Sequence, residues 1–317
     1  MKTSYLLTIP RGIFYMLLAI TLISCGTQAD KKKILPDLPD GAQAMSVPGE
    51  LLFQVKPPAS YMERFLETRD IWEADKSNAD NLIWYGRWAA YCGDYREAIR
   101  IFTEGIDRFP DDPRIYRHRG HRYITIREFE RAILDFEKAS SMVAGKDDEM
   151  EPDGMPNPLN IPVSTLHSNI YYHLGLARYL HGDLSGALQA WDSDMALEVN
   201  DDMTVATMHW IYMALIELGQ KEEALARLGL ITKNMQVIEN DAYYQLCLFY
   251  KGILGHEDMA GNGHSAVMGD AMLYGLGNWH LYHGEREHAL QYFQQIIDRG
   301  SWASFGYIAA EVKMATL

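Results

Sequence analysis

The chain has 317 residues, 48% of them hydrophobic, and a formal net charge of −14 from 43 acidic and 29 basic side chains. This length supplies enough apolar material for one extended repeat array or for two ordinary domains. The acidic balance argues against nucleic acid as the main partner, because phosphate contacts require clustered Lys and Arg, and it disfavours a flat orientation on anionic lipid.

The first 24 residues have the pattern of a signal peptide. Lys2 and Arg11 precede an uncharged, mostly apolar run over 12–24, shorter than the about 20 residues that a membrane-spanning helix needs. The run ends in residues 22–26 (LISCG), which resemble the lipobox of bacterial lipoproteins. The resemblance implies a lipid anchor on Cys25 after cleavage. An ordinary signal peptide that contains a Cys is the alternative.

Residues 25–59 are predicted to form a flexible tether behind the lipidated Cys. A lysine run at 31–33 is followed by many Pro and Gly residues between 36 and 58. This density of Pro and Gly excludes long helices and sheet ladders, because these residues interrupt the backbone hydrogen bonding of both. A short apolar piece at 51–53 is expected to dock on the body.

An amphipathic helix is predicted over 60–75, at the start of the folded body. Apolar residues from Tyr61 to Trp72 recur near helical spacing. Ser60 is predicted to cap this helix, with Glu63 three residues later completing a capping box.

The strongest pattern is a 34-residue period that follows this helix. Small residues at two fixed places with aromatic residues between them, repeating at that interval, resemble the tetratricopeptide repeat (TPR). The resemblance covers about 79–300 and implies an all-α, superhelical solenoid of five to six helical hairpins that presents a binding surface. A helical domain without repeats is the alternative. The positions that recur 34 residues apart are Gly86 and Gly120, Tyr95 and Phe129, Ala98 and Ala132, and Phe102 and Phe136.

The repeats divide the predicted solenoid, residues 60–317, into six units. An acidic, Pro-rich insertion over 146–164 lengthens one connection and is expected to be a solvated loop at one rim. A closing helix over 302–315 is predicted to cover the last apolar face, as solenoids require. The predicted units are 79–112, 113–146, 168–201, 205–238, a degenerate 239–260, and 270–300.

Two kinds of position carry the predicted packing. A small residue lets the two helices of a hairpin approach closely, and a large apolar residue four positions later fills the space beside it. The small residues are Ala98, Ala132, Ala187, Ala224 and Ala289, and the large ones are Phe102, Phe136, Trp191, Leu228 and Phe293.

Cys92 and Cys247 fall in different units and are predicted to be buried free thiols, because a solenoid keeps contacts between neighbours.

The TPR resemblance implies that the first helix of each hairpin lines a concave groove. Basic, Tyr and Asn side chains fall at the inward positions, and Arg binds carboxylates in bidentate fashion. The groove is therefore expected to bind an acidic or carboxylate-bearing segment; pairing of these Arg residues with acids on the next helix is the open alternative. The predicted groove residues are Arg87, Tyr91, Arg114, Arg117, His121, Asn169, Tyr172, His209, Tyr274 and Asn278.

No catalytic, metal or cofactor site is predicted. His118 with His121, and His280 with His283, lie one helical turn apart, but no carboxylate or Cys nearby in sequence completes a ligand set. The acidic insertion lacks the spacing of a calcium loop. A nucleophile with its base, a phosphate loop and a zinc-protease motif are also missing from the sequence.

A lipobox, a tether, an acidic repeat body and a helical cap together resemble the TPR lipoproteins of the bacterial outer membrane. The resemblance implies a lipid-anchored adaptor or scaffold of the cell envelope that binds protein partners. An accessory subunit of an envelope capture or secretion complex, binding a non-protein ligand, is the first alternative. An enzyme or metal-binding protein is the second.

Overall fold

A computed structural model of the protein describes residue 35, residues 37–259 and residues 266–317. The chain divides into two compact units, Met1–Asp37 and Leu38–Leu317, and all the described strands and helices belong to the second. The predicted signal peptide and the predicted anchor on Cys25 lie outside the described residues. Within the described ranges, none of the helices combines the length and the apolar character needed to cross a bilayer.

The body begins with a β-hairpin where a flexible tether was predicted. Strands β1 (Ala42–Met45) and β2 (Leu51–Phe53) pair antiparallel. Gly49 makes the turn between them in the left-handed region, at φ +98°, which a residue without Cβ adopts readily. The Pro and Gly residues therefore bound a short ladder here and do not prevent one.

This hairpin and the residue after it dock on the body through hydrogen bonds. The Gln54 side chain donates to the carbonyl of Cys92 over 2.7 Å. The Trp302 indole donates to the carbonyl of Phe53 over 3.0 Å, across 249 residues of chain. The prediction that 51–53 docks is confirmed, and the tether prediction is wrong for the part from Leu38 onward, which belongs to the compact unit.

Helix α1 (Ala59–Ala74) agrees with the predicted amphipathic helix, and its Trp72 is buried. The predicted cap is wrong: the N-cap is Pro58, and no side chain caps the helix. Pro58, with its fixed φ, is the last residue of the extended segment before the helix. The helix begins at Ala59, so Ser60 lies within its first turn and cannot be the N-cap.

Six helical hairpins follow, and most of their helices pack on the next one in chain order. Side chains that accept hydrogen bonds from first-turn amides start many of them, among them Asn78, Asp94 and Asp112. The predicted all-α solenoid of hairpins is confirmed. The pairs are α2 (Ala79–Tyr91) with α3 (Tyr95–Arg108), α4 (Pro113–Thr125) with α5 (Phe129–Val143), α6 (Leu166–His181) with α7 (Leu184–Met195), α8 (Asp201–Glu217) with α9 (Lys221–Arg227), α10 (Asp241–Tyr250) with α11 (His256–Met259), and α12 (Ala266–Tyr282) with α13 (Arg286–Arg299).

The small and large positions pack as the period predicts. Ala132 has 0% exposure, as do the matching alanines of the other units, and Phe136 is also fully buried. The Phe136 ring covers Gly120 so closely that a Cβ there would lie 3.0 Å from it. A helix glycine under an aromatic ring thus sets the distance between the two helices of a hairpin.

The second hairpin departs from the repeat at its turn. Gly93, in the first hairpin, has φ +78°, and the matching residue in the second is Arg127, at φ +68°. The left-handed region costs a residue with a Cβ about 1–2 kcal/mol. Arg127 is held there by a buried ion pair with Glu311, 2.8 Å away.

Helix α14 (Phe305–Thr316) takes the place of the predicted cap at 302–315 and starts at the N-cap Ser304. It packs on α12 and α13 and also contacts α6. Its Phe305 ring lies 5.1 Å from the His121 ring of α4. The cap therefore covers the last hairpin and also crosses the inner face of the middle ones.

Cys92 and Cys247 are buried and free, as predicted.

Candidate functional site

A cavity of about 190 Å³ lies between the inner sides of α2 and α4 and the insertion that follows α5. Three arginines line its wall, together with the carboxylates of Glu151, Asp153 and Glu239. Helix α4 supplies Arg117 and Arg122 as well as His118 and His121, because residues one turn apart project from the same side of a helix. The principal residues of its wall are Arg87, Tyr91, Arg117, His118, His121, Arg122, Glu151 and Asn169.

Glu151, from the insertion, places a carboxylate at the floor of this cavity. Its Oε2 lies 3.1 Å from Arg117 Nε and accepts a hydrogen bond from Asn169 Nδ2 over 2.7 Å. Its Oε1 lies 3.2 Å from His118 Nε2. Burial alone would raise the pKa of the Glu151 carboxyl, but the Arg117 guanidinium and His118 outweigh burial and hold that pKa well below its usual range.

His118 is neutral in this arrangement. Burial, and then the nearby Arg117 cation, lower its pKa to about 3. Arg117 Nη1 lies 2.9 Å from His118 Nδ1, and a guanidinium only donates, so Nδ1 is the acceptor and the ring proton is on Nε2. That proton faces Glu151, so the three groups form one continuous polar network.

Two further cations line the cavity with no carboxylate partner among the described residues. Arg122 lies 5.8 Å from the Tyr95 ring centre, and burial lowers the pKa of its guanidinium to about 10. Arg87 donates to the carbonyl of Pro152 over 2.8 Å and to the Tyr91 hydroxyl. Neither guanidinium therefore forms an ion pair within the part of the chain that the structure describes.

Most residues of the insertion are exposed, in agreement with the predicted solvated loop, and hydrogen bonds join its two ends. Glu151 N donates to the Ser164 carbonyl over 3.0 Å, and Leu166 N donates to the Glu149 carbonyl over 2.9 Å. Gly154 lies against Tyr91, where a Cβ would collide with the hydroxyl oxygen. Glu151 is a buried exception in this exposed segment, and it is paired because a charge that leaves water requires a paired and hydrogen-bonded position.

The structure brings together half of the predicted groove residues. Arg87, Tyr91, Arg117, His121 and Asn169 line the cavity. His121 stands next to the His173 ring, with ring centres 4.5 Å apart, and its pKa is well below the ordinary value, chiefly because of burial.

The remaining predicted residues do not line this cavity. Arg114 pairs with Asp80 and Asp112, each at 2.6 Å, which is the internal pairing that the sequence left open.

The predicted groove residues of the later hairpins are all buried. His209 has 0% exposure and a pKa lowered to about 3 by burial. Tyr172 accepts a hydrogen bond from Trp210, and Tyr274 meets the hydroxyl of Tyr179 at 2.9 Å. Asn278, also at 0% exposure, donates to the sulfur of Met213. Apolar and aromatic side chains of neighbouring helices close the inner face here, so these residues form no open groove.

Sequence reasoning missed His118, Arg122 and Glu151, and also the acidic residues Asp153 and Glu239 of the cavity lining. The predicted groove residues of α4 are Arg114, Arg117 and His121, and neither His118 nor Arg122 is among them. The i, i+4 spacing of His118 and Arg122 would have placed both on the side of α4 that faces the cavity. Glu151 had no such signal, because it lies in a segment without periodicity.

A second, more apolar cavity of about 390 Å³ adjoins the first. Val55, Tyr95, Trp302 and Phe305 line it, and His121 lines both cavities. The two cavities thus have the His121 side chain in common.

No protein-family model and no curated protein matches the sequence. Among solved structures, a tetratricopeptide repeat protein from Parabacteroides merdae ATCC 43184 is 13% identical, with 81% of this chain and 100% of that chain covered at a TM-score of 0.47. YrrB, a TPR protein with an unusual peptide-binding site, is 17% identical over 79% of this chain and 98% of that chain, at a TM-score of 0.42. The MamA protein is 15% identical over 65% and 88% of the two chains, also at 0.42. Values this low identify no family and no function.

Proposed function

We propose that the protein is a lipid-anchored adaptor of the bacterial cell envelope that binds a carboxylate-bearing segment of a protein partner at the arginine-lined cavity between α2, α4 and the insertion. The observation that carries this proposal is the pair Arg87 and Arg122, which line the cavity without a carboxylate partner among the described residues. A lipid on Cys25 would hold the body at the membrane. The support for that anchor is the signal-peptide pattern and the lipobox resemblance.

Charge is the first reason for a carboxylate ligand. A guanidinium that is removed from water without a counter-ion is costly, and an incoming carboxylate offsets that cost. The lowered pKa of Arg122 reflects this lost hydration. A charge-assisted hydrogen bond to such a group contributes about 1.5–3 kcal/mol to binding.

Glu151 is the second reason, because it is a carboxylate already bound by this wall. Arg117, His118 and Asn169 surround its two oxygens at 2.7–3.2 Å. The same helix face continues to Arg122, one turn further along α4. A second carboxylate placed beside Arg122 and Arg87 would meet the same kind of donors.

The adjoining apolar cavity narrows the chemistry of the partner. A segment with an acidic group at Arg122 can extend past His121 and place an apolar side chain beside Trp302 and Phe305. Recognition by a few directed polar contacts next to an apolar pocket is the usual pattern of binding sites. The proposed ligand is therefore an acidic segment with an aromatic or aliphatic residue close to its carboxylate.

Retention of envelope proteins on immobilised full-length chain tests the proposal. Arg87→Gln with Arg122→Gln removes both unpaired cations and keeps much of the side-chain length. The matched control is Arg64→Gln with Arg69→Gln on α1, where the side chains are 61% and 45% exposed. Melting temperatures of both variants establish that the fold is intact.

Wild type and the control variant are expected to retain the same proteins. The variant with Arg87→Gln and Arg122→Gln is expected to retain at least about tenfold less of those proteins. Equal retention by all three chains would overturn the proposal. Retention of an acidic polysaccharide in place of a protein would favour an accessory subunit of an envelope capture complex instead.

A further inference from the structure

The last hairpin carries a cluster of ligand atoms that the cavity does not use. His280 lies near the end of α12, Glu285 is the N-cap of α13, and His288 lies in the first turn of α13. Glu285 Oε2 is 2.6 Å from His280 Nδ1 and 3.3 Å from His288 Nδ1. One ligand atom from each of the three residues fits within 4.8 Å.

We propose that His280, Glu285 and His288 bind a divalent cation of the zinc class, with water completing the coordination. Two imidazole nitrogens and one carboxylate oxygen are a set that Zn²⁺ accepts, with bonds of about 2.0–2.2 Å. Such bonds place tetrahedral ligand atoms about 3.3 Å apart. The contact of Glu285 with His288 already has this length, and its contact with His280 would have to open from 2.6 Å.

The turn between the helices creates this cluster. Gly284 has φ +81°, a conformation that glycine adopts without strain. The turn is closed by the hydrogen bond from Glu285 N to the His280 carbonyl, 2.9 Å long. This closure returns Glu285 to the side of His280, while the i, i+3 spacing brings His288 to the same carboxylate.

Packing around His280 holds its ring in place before any ion binds. Its ring stacks on that of Tyr292, with centres 5.3 Å apart, and on that of His256, with centres 5.1 Å apart. Its side chain is only 12% exposed.

The sequence suggested a different pair and no third ligand. His283 was paired with His280 by their one-turn spacing, but its Nδ1 lies 2.7 Å from the Trp279 carbonyl and its ring stacks on Trp279. The carboxylate that completes the set is Glu285, which the glycine turn folds back. The proposed ion would link α12 to α13 and keep an outward position for water, since Glu285 and His288 are 47% and 62% exposed.

Zinc binding by the full-length chain tests this site directly. The protein is produced without a polyhistidine tag, stripped with a chelator and titrated with Zn²⁺ against a chromophoric competitor. Glu285→Gln and His288→Ala each remove one ligand from an exposed position. The matched control is His181→Ala, which breaks a two-residue pair with Glu130, 3.6 Å away, in another hairpin.

One equivalent of Zn²⁺ is expected to bind wild type and the His181 variant, and Co²⁺ in its place is expected to give the intense visible bands of a tetrahedral site. Each ligand variant is expected to lose about tenfold or more in affinity, because even an outer partner of a metal site contributes about that much. Binding that is absent from wild type, or equal in wild type and both ligand variants, would overturn the proposal. A loss that the His181 variant shares would do so as well.

Discussion

Arg117 of α4 and Glu151 of the insertion form a buried ion pair, with Nε and Oε2 3.1 Å apart and each residue less than one tenth exposed. The pair joins a repeat helix to the segment that interrupts the repeats. Because the pair is also bound by His118 and Asn169, the insertion is part of the cavity wall.

Removal of one member of this pair is expected to destabilise the fold strongly. Glu151→Ala leaves the Arg117 cation buried without a counter-ion, which costs about 3–5 kcal/mol. Arg117→Met together with Glu151→Leu is expected to recover most of that loss, because neither charge then remains buried. Glu149→Ala, at an exposed acid of the same insertion, is the control. Urea unfolding measures all four chains, and a Glu151→Ala value within error of the control would contradict the burial of this pair.

The contact between the two helices of the second hairpin gives another prediction. Ala132 is fully buried, so Ala132→Leu adds atoms where there is no space and is expected to cost roughly 1–3 kcal/mol. Lys138→Leu introduces the same side chain at an exposed position of the same helix. Thermal unfolding should show a lower melting temperature for Ala132→Leu alone. An unchanged melting temperature would mean that this alanine does not set the distance between the helices.

Asp194 of α7 is expected to make stability depend on pH. Burial raises the pKa of its carboxyl from 3.8 to about 6, so the folded state holds this proton more tightly than the unfolded chain. Its contribution to the free energy of unfolding is therefore largest below about pH 4, falls as the pH rises to about 6, and is constant above. The Asp194→Asn side chain is neutral at every pH, so this variant should not show the decline. Its free energy of unfolding relative to that of wild type should therefore rise by roughly 2–3 kcal/mol from pH 4 to pH 7.

Urea unfolding at a series of pH values measures this difference between variant and wild type. Asp192→Asn makes the same chemical change at a side chain of α7 that is 47% exposed. If the two variants alter the pH profile alike, the burial of Asp194 is not the cause.

The membrane anchor gives a prediction that is independent of the cavity. Cys25→Ala removes the thiol that would carry the lipid, so the chain should remain unprocessed or leave the membrane fraction. Fractionation followed by a carbonate wash measures this, with Cys92→Ala, at a buried free thiol of the body, as the control. An alanine variant that still sediments with the outer membrane would show that the anchor is elsewhere.

The periodic part of the fold could be predicted from the sequence, because packing within a hairpin depends on residues close together in the chain. Gly120, Ala132 and Phe136 take their predicted roles for that reason. Where the spacing alone gave a wrong prediction, the structure has a contact between residues that lie far apart in the sequence. Arg127 replaces a turn glycine because it pairs with Glu311, 184 residues later, and no local pattern contains that information.

The candidate site was only partly predictable for the same reason. The basic residue types of α4 follow from their positions in a repeat, and Arg117 and His121 do line the cavity. Whether the groove residues bind a partner stays a prediction. Glu151 could not be placed, because an irregular segment carries no period from which the direction of its side chains follows.

Site-specific photo-cross-linking in cells tests the binding of a protein partner at the cavity most directly. A photoreactive residue is placed at Asp153, which is exposed and lines the cavity, or at Lys138, which is exposed on α5 and does not. Each is made in the native chain and in the chain with Arg87→Gln and Arg122→Gln. We expect a discrete protein adduct from position 153 of the native chain that is lost with the two arginines and is not formed from position 138. No protein adduct from position 153, or an equal yield without the two arginines, would contradict binding at the cavity.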